Sequence, residues 1–215
     1  MSGKGVLKGV VFGAVFAASA GCATTGGDIG GLVPAPKFLS GSIDDNNVYI
    51  AKDKRFTVAV PFAADTDNHR YMKVKEEYGP NEDYVSFGPG AVDQRIYRID
   101  FVTPPAGRSL PALDTVVSRM QGLVAQQAQQ SYGTAPTVGG SQKTVIGGHD
   151  AYTWEMQQSV PSMHATLTHE VYMIYLGGSG VTVWVQTPSN NLSDQRALTP
   201  EQFAESLKVT PPAGQ

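Results

Sequence analysis

Leu113-Asp114-Thr115-Val116-Val117-Ser118-Arg119-Met120-Gln121-Gly122-Leu123-Val124-Ala125-Gln126-Gln127 is the stretch on which the fold turns. Leu113, Val116, Val117, Met120, Leu123, Val124 and Gln127 follow i, i+3, i+4, i+7 spacing, and six of these seven are apolar. Such spacing places them on one side of an α-helix. Asp114, Ser118, Arg119, Gln121 and Gln126 occupy the other side. Gln129 and Gln130 extend a polar, solvated last turn. A helix with one apolar stripe must bury it, and the flanking sequence offers a sheet as the only surface large enough.

Both flanks read as strands. Upstream, Val48-Tyr49-Ile50 and Phe56-Thr57-Val58-Ala59-Val60 bracket a charged turn at Lys52-Asp53-Lys54. Side chains alternate along a strand, so Phe56, Val58 and Val60 share a face. Pro61 ends this hairpin because it has no N–H for a ladder. Tyr71 to Tyr78 reads as a charged edge strand, and Tyr84 to Phe87 leads into a turn at Gly88-Pro89-Gly90. From Gln94 to Val102, Tyr97, Ile99 and Phe101 point inward while Arg98 and Asp100 point outward. Downstream come Gln142 to Ile146, His149 to Gln158, Ala165 to Leu176 and Val181 to Thr187. Gly147-Gly148 and Gly177-Gly178-Ser179-Gly180 supply the turns between them, since glycine admits positive φ. Thr199, Pro200 and Gln202 form the start of a short final helix with a capping box, and Phe203 and Leu207 face inward from it. The expected architecture is α+β: an antiparallel sheet packed by one long helix and a short C-terminal helix.

Three short segments carry a resemblance to a known fold. They are Phe56-Thr57-Val58-Ala59-Val60-Pro61, Gly147-Gly148-His149-Asp150-Ala151-Tyr152 after the long helix, and Phe203-Ala204-Glu205-Ser206-Leu207-Lys208 near the end. Their order and spacing resemble the PsbP-like fold, shared by photosystem PsbP, Ran-binding Mog proteins and bacterial DcrB-like lipoproteins. The first segment lacks the Trp often found soon after its Pro. The resemblance implies an α/β sandwich and a mostly non-catalytic family that assists or binds other proteins. It supplies no catalytic residue.

The N-terminus reads as an address. Lys4 and Lys8 precede an apolar run from Val10 to Ala20, followed by Gly21 and Cys22, the sole cysteine. About a dozen apolar residues is short of the roughly 20 that a membrane-spanning helix needs. The proportions suit a secretory signal, with small residues where a peptidase must fit. The order resembles a bacterial lipoprotein signal, with Ser19 standing where Leu is usual. That resemblance implies lipidation of Cys22 and membrane attachment; ordinary cleavage after Ala20 or Ala23 is the alternative. Ala23, rather than Asp, after the cysteine implies the outer membrane, facing the periplasm. The expected organisation is a signal peptide at 1–21, a Gly- and Pro-rich tether at 22–42, one domain at 43–210 and a tail at 211–215. A lone cysteine allows no intramolecular disulfide, so the core alone must stabilise the domain.

Removing residues 1–21 takes two of 16 basic residues and none of 19 acidic ones, leaving 14 against 19, a formal charge of −5. Such a balance disfavours nucleic acid, whose binding needs a basic surface. The cluster Lys52, Lys54 and Arg55 reads as a solvated hairpin tip.

Chemistry-bearing constellations are sparse. Of the four histidines, His164 and His169 lie an odd number apart on one strand and so face opposite ways. His69 and His149 are expected at the surface with them. No three residues converge in the manner of a zinc site. Asp65, Asp67 and Glu76 have calcium-loop spacing, but Arg70 stands where such a loop needs Gly. The region reads instead as an acidic loop. Gly178-Ser179-Gly180 is a turn and not a nucleophile elbow, and no phosphate-binding glycine loop occurs. Adjacent carboxylates at Asp44-Asp45, Glu76-Glu77 and Glu82-Asp83 are splayed apart by extended backbone. No metal, cofactor or catalytic residue is expected. Tyr152, Trp154 and Trp184 have two readings: core beneath the long helix, which the pattern favours, or an exposed aromatic face that binds a partner. The expected function is that of a lipid-anchored envelope accessory protein with a protein partner. The alternative is an envelope enzyme or small-ligand carrier with a pocket between sheet and long helix.

Overall fold

The computed structural model describes residues 40–78, 82–88, 95–104, 107–190 and 195–210. Cys22, nearly all of the expected tether and the 211–215 tail lie outside them. The first half contains β1 (Ser42–Ile43), β2 (Val48–Ile50), β3 (Phe56–Ala59), α1 (Asp67–Tyr71), β4 (Val74–Tyr78), β5 (Glu82–Phe87) and β6 (Ile96–Val102). The second half contains α2 (Leu113–Tyr132), β7 (Thr137–Val138), β8 (Gln142–Ile146), β9 (His149–Val160), β10 (Ala165–Leu176), β11 (Ser179–Pro188), α3 (Pro200–Glu205) and β12 (Lys208–Val209).

The strands form two antiparallel sheets. The small one runs β1-β2-β3-β12. The large one runs β4-β5-β6-β11-β10-β9-β7, with β8 also pairing to β9. Strand alternation gives the large sheet two faces with different coverings. On one, Tyr97, Ile99 and Phe101 of β6 and Val181, Val183 and Val185 of β11 are at most 2% exposed. They pack with Phe56 and Val58 of the small sheet and Phe203 of α3. Phe56 stacks on Phe101 at 4.9 Å, and Phe203 meets Tyr97 edge-on at 5.0 Å. On the other face, Val117 and Val124 of α2 cover Trp154, Met156, Val171, Met173 and Trp184. Three layers result: small sheet, large sheet, long helix.

The helix ends follow local chemistry. α2 runs five residues past Gln127 and stops at Gly133, whose φ of 75° no β-carbon hinders and whose N–H bonds to Gln129 O. α3 begins with the expected capping box, Thr199 accepting from Gln202 N and the Gln202 side chain accepting from Thr199 N. Residues 67–71 form a one-turn helix capped by the Thr66 hydroxyl, so Tyr71 belongs to a helix and not to the expected edge strand. β4, which follows, is the sheet edge.

Ser42 does not belong to a free tether, because it pairs with Ile50 as the start of β1. The preceding two residues are also fastened. The Ser40 hydroxyl accepts from Glu76 N at 3.0 Å, and Gly41 N–H donates to the Tyr49 hydroxyl at 2.6 Å. Tyr49 in turn donates to Glu76 at 2.5 Å. A β-carbon on Gly41 would lie 2.2 Å from Ile50 O and 2.8 Å from the Tyr49 hydroxyl. Backbone cannot yield as a side-chain tip does, so Gly41→Ala is expected to destabilise the domain by about 1–3 kcal/mol. Urea unfolding checks this; a loss under ~0.5 kcal/mol would mean that the segment is not held.

Candidate functional site

A cavity of about 330 Å³ opens at the end of the sandwich where α3 and β12 meet two turns of the large sheet. Its apolar lining includes Ile146, Ile174, Leu176 and Leu207, and its polar lining includes His149, Glu205 and Lys208. Each part has a local cause. The β8–β9 turn uses Gly147 and Gly148 at φ of 57° and 84°, and the β10–β11 turn uses Gly177 and Gly178 at 55° and 80°. Left-handed glycines let both hairpins reverse within two residues, so neither of these turns arches over the opening. α3 ends at Glu205, and the chain turns through Ser206, whose hydroxyl accepts from Ala59 N. Alternation then places Leu207 and Val209 inward and Lys208 outward.

β12 pairs with β3 through Lys208↔Thr57 and Val209↔Phe56. Thr210 N–H bonds to Arg55 O at 2.8 Å. Antiparallel ladders alternate bonded and non-bonded pairs, so Thr210/Arg55 and Lys208/Thr57 are bonded and Val209/Phe56 is not. The other side of β3 agrees, because Ala51 N–H bonds to Phe56 O. The Val209 N–H and C=O therefore point away from β3, toward the sheet edge.

An acidic flank adjoins the cavity. Glu170 on β10 lies directly opposite Glu155 on β9, a like-charge pair. Burial and then Glu155 push the Glu170 carboxyl up, opposed by Arg95. On the same face burial, with Glu170, Glu201 and Glu205 nearby, pushes the Tyr172 phenol up to about 12. Glu201 and Glu205 come from α3, so the acids converge from three elements.

The residues singled out in the sequence fall elsewhere. Trp154 and Trp184 are 3% and 6% exposed beneath α2, and Tyr152 is half-buried beside them. They form core, not an exposed aromatic face. This cavity lies on the opposite face of the large sheet from the expected pocket between sheet and long helix. His169 is fully buried rather than superficial, and its Nδ1 accepts from Trp184 Nε1 at 3.1 Å. Burial pushes its pKa down to about 4. His164 is exposed at a turn with φ of 49°. Arg98 and Asp100 do share the outward face of β6, but each side chain is only 13% exposed, and they pair with each other. Asp65 pairs with Arg196 and Asp67 with Arg70, while Glu76 faces Tyr49 and Tyr78, so the calcium-loop spacing does not converge. Among the described residues no three His, Cys, Asp or Glu side chains gather as metal ligands.

No family model and no curated protein matches the sequence. Among solved structures, the solution structure of cyanobacterial PsbP (CyanoP) from Synechocystis sp. PCC 6803 is similar at a TM-score of 0.51 and 15% identity, over 79% of this chain and 96% of that one. The fold is PsbP-like. A crystal structure from Bacteroides thetaiotaomicron VPI-5482 gives a TM-score of 0.49 at 13% identity, over 82% of this chain and 51% of that one. This chain thus spans about half the length of that protein. The PsbP-like likeness extends to architecture: antiparallel sheets, one long helix and a short C-terminal helix.

Proposed function

We propose that this protein is a non-catalytic accessory protein of a bacterial cell envelope, held to the membrane by lipid on Cys22, that grips a partner protein at the open end of its sandwich. One observation carries the reading: an apolar-floored cavity of about 330 Å³ opens at the α3–β12 corner of a PsbP-like domain. Cavities of this size with a few polar groups at the mouth suit binding. The basic start, apolar run and single cysteine support the lipid anchor, and Ala23 after the cysteine supports an outer-membrane address. The buried His169 and the internal Arg98–Asp100 pair support binding over catalysis, because neither is presented to a substrate. The cavity also favours a second reading, a carrier of a small apolar ligand.

Cross-linking intact cells and purifying the protein from membranes tests the first reading. A stoichiometric envelope protein is expected, together with fatty-acid label that Cys22→Ala abolishes. Equal label in both forms would overturn the lipid anchor. Recovery of a small molecule instead of a protein partner would establish the second reading.

A further inference from the structure

Three features meet at β12: outward main-chain groups, a cavity and an acidic flank. Among the described residues the small sheet ends at β12, so this strand is an edge. Register directs the Val209 N–H and C=O outward, and among the described residues neither has a partner. An unpaired edge is a template for another strand. The Val209 side chain points inward and helps line the cavity. Residues directly opposite in neighbouring strands share a face. Any residue that pairs with Val209 would therefore send its side chain the same way, into the apolar space between Leu207 and Ile174.

We infer that β12 accepts an extended peptide segment from the partner, which adds one strand to the small sheet and seats one large apolar side chain in the cavity. Main-chain bonds to Val209 hold the segment, and the apolar side chain selects it, the division of labour usual in strand addition. Charge completes the description. Glu205 lines the cavity, Glu201 stands one turn back on α3, and Glu155 opposes Glu170 beyond them. Lys208 at the cavity and Arg95 near Glu170 offset part of this charge, two cations against four acids, so the preferred segment pairs one large apolar residue with Lys or Arg. The inference rests on the proposal that this cavity is a docking place and adds what docks there.

The test is selection of a random heptapeptide phage library on the full-length protein purified from membranes, followed by binding of the selected peptides in solution. Enrichment of sequences with one large apolar residue next to Lys or Arg is expected. Val209→Pro removes the outward N–H while leaving the bonds of Lys208 and Thr210 to β3, and proline is tolerated at a sheet edge. It is expected to weaken the peptides by up to about tenfold, the effect of losing one main-chain bond. Val209→Thr keeps the N–H, so its loss is expected to be smaller than that of Val209→Pro. Glu205→Lys, at an exposed helix end, weakens the basic peptides several-fold. Amide exchange at Val209 in the wild-type protein gives a readout independent of the variants, and it slows on binding. No enrichment over the unselected library, or tight binding with Val209 exchange unchanged, overturns the inference. An envelope complex recovered from cells alongside a failed peptide selection would sink strand addition alone; failure of both would sink the accessory reading too.

Discussion

Trp154→Ala is expected to lower stability by about 3–5 kcal/mol, the usual cost of emptying a buried aromatic site. Trp154 is 3% exposed and packs with Met156, Val171 and Val117 between the large sheet and α2. Domains are stable by only about 5–15 kcal/mol in total, so one truncation removes a large share. For a domain of this size that corresponds to roughly 6–20 °C in Tm. Trp154→Phe is the sharper probe. The Trp154 Nε1 is buried without a hydrogen-bond partner, so Phe removes an unsatisfied donor together with some volume. The loss with Phe should stay below about 2 kcal/mol. Thermal unfolding of both variants decides the matter. A Trp154→Ala protein that melts like wild type but no longer recovers its partner would restore the aromatic-face reading.

Acid is expected to weaken the domain through His169. The folded protein holds this imidazole neutral, with a pKa of about 4, because burial disfavours its charge. An unfolded chain has the ordinary value near 6.5. Between these values the unfolded state binds the extra proton, so stability falls as pH falls. The contribution is complete above pH ~6.5 and is lost as pH drops toward 4, reaching about 3 kcal/mol. Glu170 and Asp100 work the other way. Burial raises both carboxyls in the folded state, so protonation at low pH relieves them. A difference measurement isolates the histidine. Urea unfolding from pH 7 to pH 4 should show a steeper loss in wild type than in His169→Gln, which keeps an acceptor for Trp184 Nε1. Parallel curves would mean that His169 is protonated in the fold. The region it would disturb is the helix-covered face, since His169 lies beside Met156 and Gln186 in the strand ladders and bonds to Trp184.

These properties were unevenly legible in the sequence. α2 was legible because its stripe repeats at the helical period over 15 residues. β3, β6 and β10 were legible because alternation and glycine turns are local signals. The capping box at Thr199 was legible for the same reason. β12 was not: two residues form a strand only because β3 offers a ladder far away in the chain. α1 depends on one capping hydroxyl, and charged residues around it resemble a loop. The burial of His169 was within reach. It alternates with Leu167, Val171 and Met173, all buried, so strand periodicity already places it on an apolar face. The cavity had no comparable signal. Its walls come from three separated segments, and only packing brings Ile146, Leu176 and Leu207 together.

The long-range closure of the small sheet has a consequence for biosynthesis. The Ser206 hydroxyl bonds to Ala59 N across 147 residues, and β12 completes a sheet begun at β1. Local hairpins such as β9–β10–β11 can form as soon as they emerge from the ribosome, whereas this sheet waits for the end of the domain. Until then the cluster around Phe56, Val58 and Phe101 lacks Phe203, Ala204 and Leu207. On the export proposed above, the chain gains from that delay, because the two-sheet core is completed only by its last strand. Removal of residues 206–215 should therefore leave a species that never closes, and that an added protease cleaves faster than the full chain.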